Sequence, residues 1–390
     1  MANSLSYNQI NTILAEIAAQ ATGAKAADLL ATGDFTSIAN TVLPVGYDAL
    51  TKSISMVLSR TLFSNRPYTR KFQGLEASAE QYGAITRKLY LVDKPFEADQ
   101  RYTLEDGVSV DQQKVNKPIP VQLNFYGFEV FQRSVTMFKD QLDAAFKSPE
   151  EFGQFVTMVM QNASDIIEQA HEGLARGTIT NLIGGVLHAG GDEQKVHLLT
   201  RYNAKTGLAL TAQDVYKPEN FKAFIQWMYA EIAAISAMMT ERTEMFHFNL
   251  TGKAVKRHTP YENQRIYLFS QARYNSEMMA LADIYHDNYL RMAYTETVNF
   301  WQSSKNPAKI NVTASYLDVT DGTVKKDATV EQDNVMGVIF DRDAAGYTTV
   351  SEWSESAPFN AAGGYQNTFY HWTDRYWNDF TENAVVLLLD

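Results

Sequence analysis

The segment that most constrains this chain is Met336 to Asp390. It ends on Ala384 to Leu389, six residues with apolar side chains only. Chain ends ordinarily fray in solvent, and an exposed run of this kind promotes aggregation. Six residues are also far too few to cross a bilayer. The run is therefore expected as a buried strand, packed on a long helix beside the segment around Tyr126–Val135. Upstream lie a short apolar strand (Val338, Ile339, Phe340), a polar turn (Asp341, Arg342, Asp343), a second strand (Gly346–Trp353) and a break at Ala361–Gly364. Tyr365, Phe369, Tyr370, Trp372, Tyr376, Trp377 and Phe380 then crowd into sixteen residues. Aromatics at this density suit a strand packing alternate faces. A stacking platform for sugars or bases is the weaker alternative.

The strongest helix signal covers residues 148–183. Ser148 is placed as an N-cap, Pro149 at the first helical position, and Glu151 completes a capping box. Apolar residues then recur from Phe152 to Leu174 at the helical period, so Val159, Ile166 and Ile167 are expected to be fully buried. Gly177, or Gly184 and Gly185 at the latest, should end this helix, giving a length of about 40 Å. Gly184–Gly191 reads as a tight turn. A second helix starts near Pro218, with a stripe from Phe221 through Met228 and Ile235 to Met239. Glu244–Leu250 and Arg265–Ser270 look strand-like, and Tyr274–Tyr285 helical. Helices and strands alternate irregularly and without repeats, which is an α+β pattern.

Residues 1–70 read as an extended arm. Ser6 and Gln9 form a capping-box pattern before a thin stripe of Ile10, Ile13, Leu14 and Ile17. A second stripe runs from Tyr47 to Leu58. Stripes this thin do not make a domain, so removing residues 1–22 is expected to leave the body folded. Residues 71–128 read as a long hairpin whose arms, Tyr82–Val92 and Ile119–Phe125, alternate with period two. The 25 residues between them, Asp93 to Lys117, carry ten charges. A two-stranded ribbon is marginal alone, and a long insert is usually functional or disordered. The loop is either a solvated flap or a grip on a neighbouring subunit through complementary charges, and the ribbon's weakness favours the grip. Lys94, Glu97, Arg101, Asp106 and Lys114 are the candidate contacts.

Composition excludes several functions. The formal charge of −11 does not suit a reader of duplex DNA. With no cysteine there is no disulfide, thiolate metal site or Cys nucleophile. The start of the chain lacks a secretory pattern, and no membrane partner is expected. Glu168 and His171 have the Glu-x-x-His spacing of a carboxylate metal helix, and Asp283 with His286 half fits. One such match is common by chance, and Glu168 falls on the polar side of the helix. Both side chains are therefore expected to be solvated or locally satisfied. The phosphate-binding and nucleophile-elbow patterns are absent. No catalytic residue, metal or cofactor is assigned. A soluble metal-dependent enzyme built on Glu168 and His171 stays as the rival.

The order of parts resembles the major capsid proteins of tailed phages with the Hong Kong 97-like fold, closest to those of small short-tailed phages. Three stretches carry the likeness: Gln264 to Met278, a strand running into a helix; Asn334 to Tyr347, a strand, an acidic turn and a return; and Tyr365 to Leu389, the aromatic closing segment. The resemblance implies an N-terminal arm (1–70), an extended hairpin loop (71–128), a peripheral domain with its spine helix (129–215 and 347–390) and an axial domain (216–346). It implies a structural protein that self-assembles as pentamers and hexamers into an icosahedral shell around phage DNA. The expected setting is the virion, with assembly in the host cytoplasm and a portal and non-specifically packaged genome as partners. There is no charged helical prodomain, so a separate scaffolding protein is implied. A phage tail structural protein is a further alternative.

Overall fold

The computed structural model describes Thr12 and residues 14–19, 70–77, 86–94, 99–110, 113, 115–141, 149–272, 274 and 294–390. The capping residues Ser6, Gln9 and Ser148, the stripe from Tyr47 to Leu58, and the expected helix beyond Tyr274 lie outside these residues. The strands are β1 (Thr86–Leu91), β2 (Pro120–Phe125), β3 (Phe128–Phe138), β4 (Lys195–His197), β5 (Gln264–Phe269), β6 (Tyr294–Val298), β7 (Ile310–Leu317), β8 (Val324–Gln332), β9 (Val335–Asp341), β10 (Ala345–Ser356), β11 (Tyr365–Asn378) and β12 (Ala384–Leu388). The longer helices are α1 (Pro149–Ala189), α2 (Leu198–Thr206) and α3 (Pro218–Met239).

The sequence expectation that the closing apolar run is a buried strand is met, but its neighbours differ. β12 lies inside a five-stranded sheet ordered β4-β12-β9-β5-β6. It runs parallel to β4 and antiparallel to β9. The strand beside Tyr126–Val135 is instead β11, paired antiparallel with β3 in a sheet ordered β10-β11-β3. The reason lies in side-chain pattern. β12 is apolar on both faces, so it needs cover on both sides. Ala384, Val386 and Leu388 face one hydrophobic cluster with the second half of α1. Val385 and Leu387 face a second, with α2 and α3. β9 divides its residues in the same way. β11 alternates, burying Gln366, Thr368, Tyr370, Trp372 and Asp374 and half-exposing the residues between. It therefore suits a sheet with one open face.

α1 begins at Pro149 as its start signal indicates, but it runs 41 residues, or about 60 Å. It passes straight through Gly184 and Gly185 instead of turning there. A Cβ on Gly184 would lie 2.7 Å from a methyl of Val312 and 2.8 Å from Ala314 Cβ, both on β7. One on Gly185 would lie 2.4 Å from the Phe380 ring. These glycines let the helix touch β7 and Phe380, and packing overrides their weak helix propensity. The deepest part of α1 is accordingly Ala175 to Val186, including Ile179, Leu182 and Ile183. Ile167 is buried, Ile166 is only half-buried, and the Val159 side chain lies outside the described set. Asn181 and Asn378 tie the same contact together, with Asn181 Nδ2 donating to Asn378 Oδ1 at 2.7 Å and Asn378 Nδ2 to Thr178 O at 3.0 Å.

Two other expectations are revised. Glu244–Leu250 is irregular, because its backbone bonds go singly to Phe380 O and from Ala384 N instead of into a ladder. In the arm, Leu14, Ala15, Ile17 and Ala18 are fully buried within one chain. The first stripe therefore contributes to the folded monomer, contrary to the reading of residues 1–22 as dispensable. No described helix is long and apolar enough to cross a membrane.

Two glycine substitutions should separate packing from propensity. Gly177 has open space around its Cβ position. Gly177→Ala should raise the unfolding free energy by about 0.5–1 kcal/mol, whereas Gly185→Ala should lower it by about 1–3 kcal/mol through overpacking. Denaturant titration of the soluble subunit measures both. Deleting residues 385–390 should yield insoluble or unfolded chains, read by sedimentation and circular dichroism; a folded soluble product would contradict the placement of β12.

Candidate assembly site: the hairpin and its anchors

β1 and β2 pair over six residues, from Thr86 opposite Phe125 to Leu91 opposite Pro120. Successive side chains point to opposite faces. One face of the ribbon carries Lys88, Tyr90 and Val121 and lies on the subunit's own body, with Val121 in the α1-side hydrophobic cluster and Tyr90 and Val92 packed against it. The ribbon's need for a partner surface is thus met at its base within the same chain.

Charges fasten this base. Lys88 Nζ is ion-paired with Asp379 and Glu382 and donates to Thr381 Oγ1 at 3.2 Å. Arg257 Nη1 sits 3.3 Å from Glu382 Oε1, and its guanidinium lies 4.7 Å over the Tyr90 ring. Asp93 accepts from Arg242 Nη2 and from the Lys256 amide, each at 2.7 Å. Burial pushes the Glu382 carboxyl above the usual glutamate range, against the pull of Lys88 and Arg257. Burial likewise raises Asp341, although the Asp343 amide and the Thr259 hydroxyl donate to its carboxylate. None of these anchors was assigned from sequence, because Lys88 and Asp379 are 291 residues apart and each looks like an ordinary surface charge.

Of the candidate contacts on the loop, Lys94, Arg101 and Asp106 are described. Lys94 Nζ donates to Lys117 O at 2.6 Å, and Arg101 pairs with Asp99 at 2.7 Å. Asp106 is exposed. Glu97 and Lys114 lie outside the described residues.

The second anchor is where the arm meets the body. Arg70 Nη1 donates to Glu168 Oε1 at 3.0 Å and lies 3.3 Å from His171 Nδ1, while Nη2 is paired with Glu76. His171 Nε2 is 3.3 Å from Asp374 Oδ2 on β11. Arg70, Glu168, His171 and Asp374 are all buried. Of the two expected states, Glu168 adopts the locally satisfied one, paired with Arg70 and buried, because the polar side of α1 faces the incoming arm. A guanidinium already occupies the side of Glu168 and His171 where a metal would need their lone pairs. Among the described residues no group of three metal-ligating side chains is placed to hold an ion. Beside this node Phe72 adopts left-handed backbone (φ 63°) and is buried, edge-on to Tyr267 at 5.3 Å. That conformation costs about 1–2 kcal/mol, which the burial of an aromatic side chain offsets.

A family model described as the Phi29-like phage major capsid protein matches residues 10–388. The chain belongs to this family. No curated protein matches the sequence of this capsid protein. Among solved structures, a chain from the capsid structure of Staphylococcus phage Andhra is similar, with 8% identity and a TM-score of 0.53 over 84% of this chain and 86% of that one. A chain from the structure of the head fiber and inner core protein of native bacteriophage P68 has 9% identity and a TM-score of 0.52 over 82% and 85%. At such identity the likeness shows the fold, the α+β Hong Kong 97-like architecture. The rival enzyme and tail-protein readings are not favoured.

Glu382 gives the hairpin anchor a pH signature. A carboxyl raised in the folded chain binds its proton more readily there than in the unfolded chain. Its stabilising contribution is full below the unfolded value and is lost as pH rises through the folded one. Glu382→Gln cannot ionise. Denaturant titrations from about pH 4, near the ordinary glutamate value, to neutrality should show the variant gaining stability relative to wild type as pH rises. A difference that stays constant with pH would show that burial does not raise the Glu382 carboxyl in the folded chain.

Proposed function

We propose that this chain is the structural subunit of an icosahedral phage head, with pentamers and hexamers closing a shell around packaged DNA. One observation carries the reading: the hairpin's base is built into its own subunit by Lys88, Tyr90, Val121 and Asp93, while on its far face and loop the described residues Leu89, Leu91, Tyr102 and Val115 are exposed. A projection rigid at its root and open at its tip suits contact with another copy. The loop bearing Lys94, Glu97, Arg101, Asp106 and Lys114 is assigned to that contact.

The division into arm (1–70), hairpin (71–128), peripheral part (129–215 and 347–390) and axial part (216–346) is retained, with one qualification. β4 and β12, from the peripheral ranges, are strands of the same sheet as the axial β5, β6 and β9. The two parts are thus joined through one sheet. The formal charge of −11 keeps the shell from clamping the genome. A separate scaffolding protein and a portal complete the set of partners, the virion is the destination, and assembly takes place in the host cytoplasm. The role is structural, without catalysis.

Electron microscopy of the product co-expressed with its scaffolding protein tests this, the expected image being closed isometric particles. Tubes or fibres would point to a tail protein. Deleting residues 94–113 and rejoining the ribbon should leave soluble, folded subunits that make no shells. Normal particles from that variant would remove the hairpin from assembly.

A further inference from the structure

The root of the hairpin holds a lysine against two acids in a nearly closed place. Lys88 Nζ, on β1, touches Asp379 Oδ2 and Glu382 Oε1, both in the turn from β11 into β12. The three side chains are little exposed, Lys88 at 21%, Asp379 at 2% and Glu382 at 11%. Apolar groups surround them: Phe380, stacked on Phe248 at 5.3 Å, belongs to the same cluster as Val121, and Tyr90 packs on it. Lysines elsewhere meet more open carboxylates, as Lys217 does with Asp214 at 26% and Lys325 with Asp321 at 44%. The two oxygens of Asp379 also differ. Oδ1 accepts from the Thr381 amide at 2.9 Å and from the Thr381 hydroxyl at 2.6 Å, whereas Oδ2 meets the lysine. Two donors on one carboxyl oxygen polarise the carbon toward attack and stabilise the charge that attack develops there.

We propose that Lys88 and Asp379 are a modification site, joined within one chain by an isopeptide bond whose formation Glu382 assists as proton carrier. The step needs no oxidant and no co-reactant. One proton passes from Lys88 Nζ to Asp379 Oδ2, giving an amine and an acid, the uncharged forms that an apolar surround favours. Nζ then bonds to the Asp379 carboxyl carbon, and the charge on Oδ1 is held by the two Thr381 donors. A second proton leaves Nζ for Glu382, which touches the same nitrogen, and is returned to Oδ2. The bond from carbon to Oδ2 breaks, one water departs, and Oδ1 becomes the carbonyl oxygen of the new amide. Glu382 ends as it began. Burial raises its carboxyl, which suits it to exchange a proton. Holding amine and acid in contact supplies the high effective concentration that condensation in water lacks. All three groups lie in one chain, so the bond is independent of the shell reading. It would tie the root of the hairpin to the turn before β12, across 291 residues.

Mass spectrometry of the full-length chain, denatured before measurement, tests this without any variant. Wild type should weigh one water less than its sequence, and proteolysis should release a branched peptide joining the segment around Lys88 to that around Asp379. Lys88→Arg keeps the positive charge but has no amine to bond, and should show its full mass. Glu382→Gln keeps the side-chain shape but cannot carry the proton. In chains quenched with denaturant at intervals after synthesis, it should form the bond about a hundredfold or more slowly, the usual effect of losing a proton-transfer group. A wild-type chain of full sequence mass would overturn the bond and leave Lys88 in an ion pair. Water loss that persists in Lys88→Arg would assign it to an aspartate closing on its own backbone, and would overturn the bond as well. Bond formation at the wild-type rate in Glu382→Gln would overturn the part given to Glu382.

Discussion

The structure depends on burying β12 from both sides. Five consecutive side chains, Ala384 to Leu388, are almost wholly removed from solvent, and full burial of each large aliphatic contributes about 1.5–3 kcal/mol before entropy is subtracted. More important is where they point. Val386 and Leu388 complete the cluster that includes Ile179, Ile183 and Phe340, and Val385 and Leu387 complete the one that includes Phe224, Met228 and Ile339. Without β12, β4 and β9 have no strand between them, and α1 and α3 each face an unfinished surface. The two helical layers thus share one strand as their common floor.

Much of this was legible locally. The alternation of β11, the period-two arms of β1 and β2, the start of α1 at Pro149 and the apolar run of β12 were all read from their own residues. Long-range partners were not. β12 runs parallel to Lys195–His197, and nothing in either segment names the other. The glycines at 184 and 185 were misread for the same reason: propensity is local, whereas the contact that needs them comes from Val312, Ala314 and Phe380. Glu168 was left as either solvated or locally satisfied because one helix can show only its own polar side, and the arm that pairs with it arrives from residue 70.

The functional surface was half visible. The hairpin could be seen as an element that something must cover, and charge drew the eye to its loop. Its anchors could not be seen, because Lys88, Asp379, Glu382 and Arg257 become a cluster only after folding. The apolar residues of the loop were present in the sequence, but interspersed charges masked them. Only the structure shows that Asp93, Lys94, Asp99 and Arg101 among them are answered inside the chain.

The place of β12 in chain order has a consequence for synthesis. The hairpin is complete at residue 125, whereas the sheet that carries both hydrophobic clusters lacks an inner strand until residue 388 has been added. At roughly 5–20 residues per second, a nascent chain would wait about 10–50 seconds between these events. During that interval the hairpin exists, but the body that should hold its base does not. Lys88 has to wait as well, since its partner Asp379 follows it by 291 residues. The ribbon is thus set onto its root only after β3 to β11 have been made. The order of translation would therefore act as a clock, fixing the aim of an early hairpin only when its late anchors arrive.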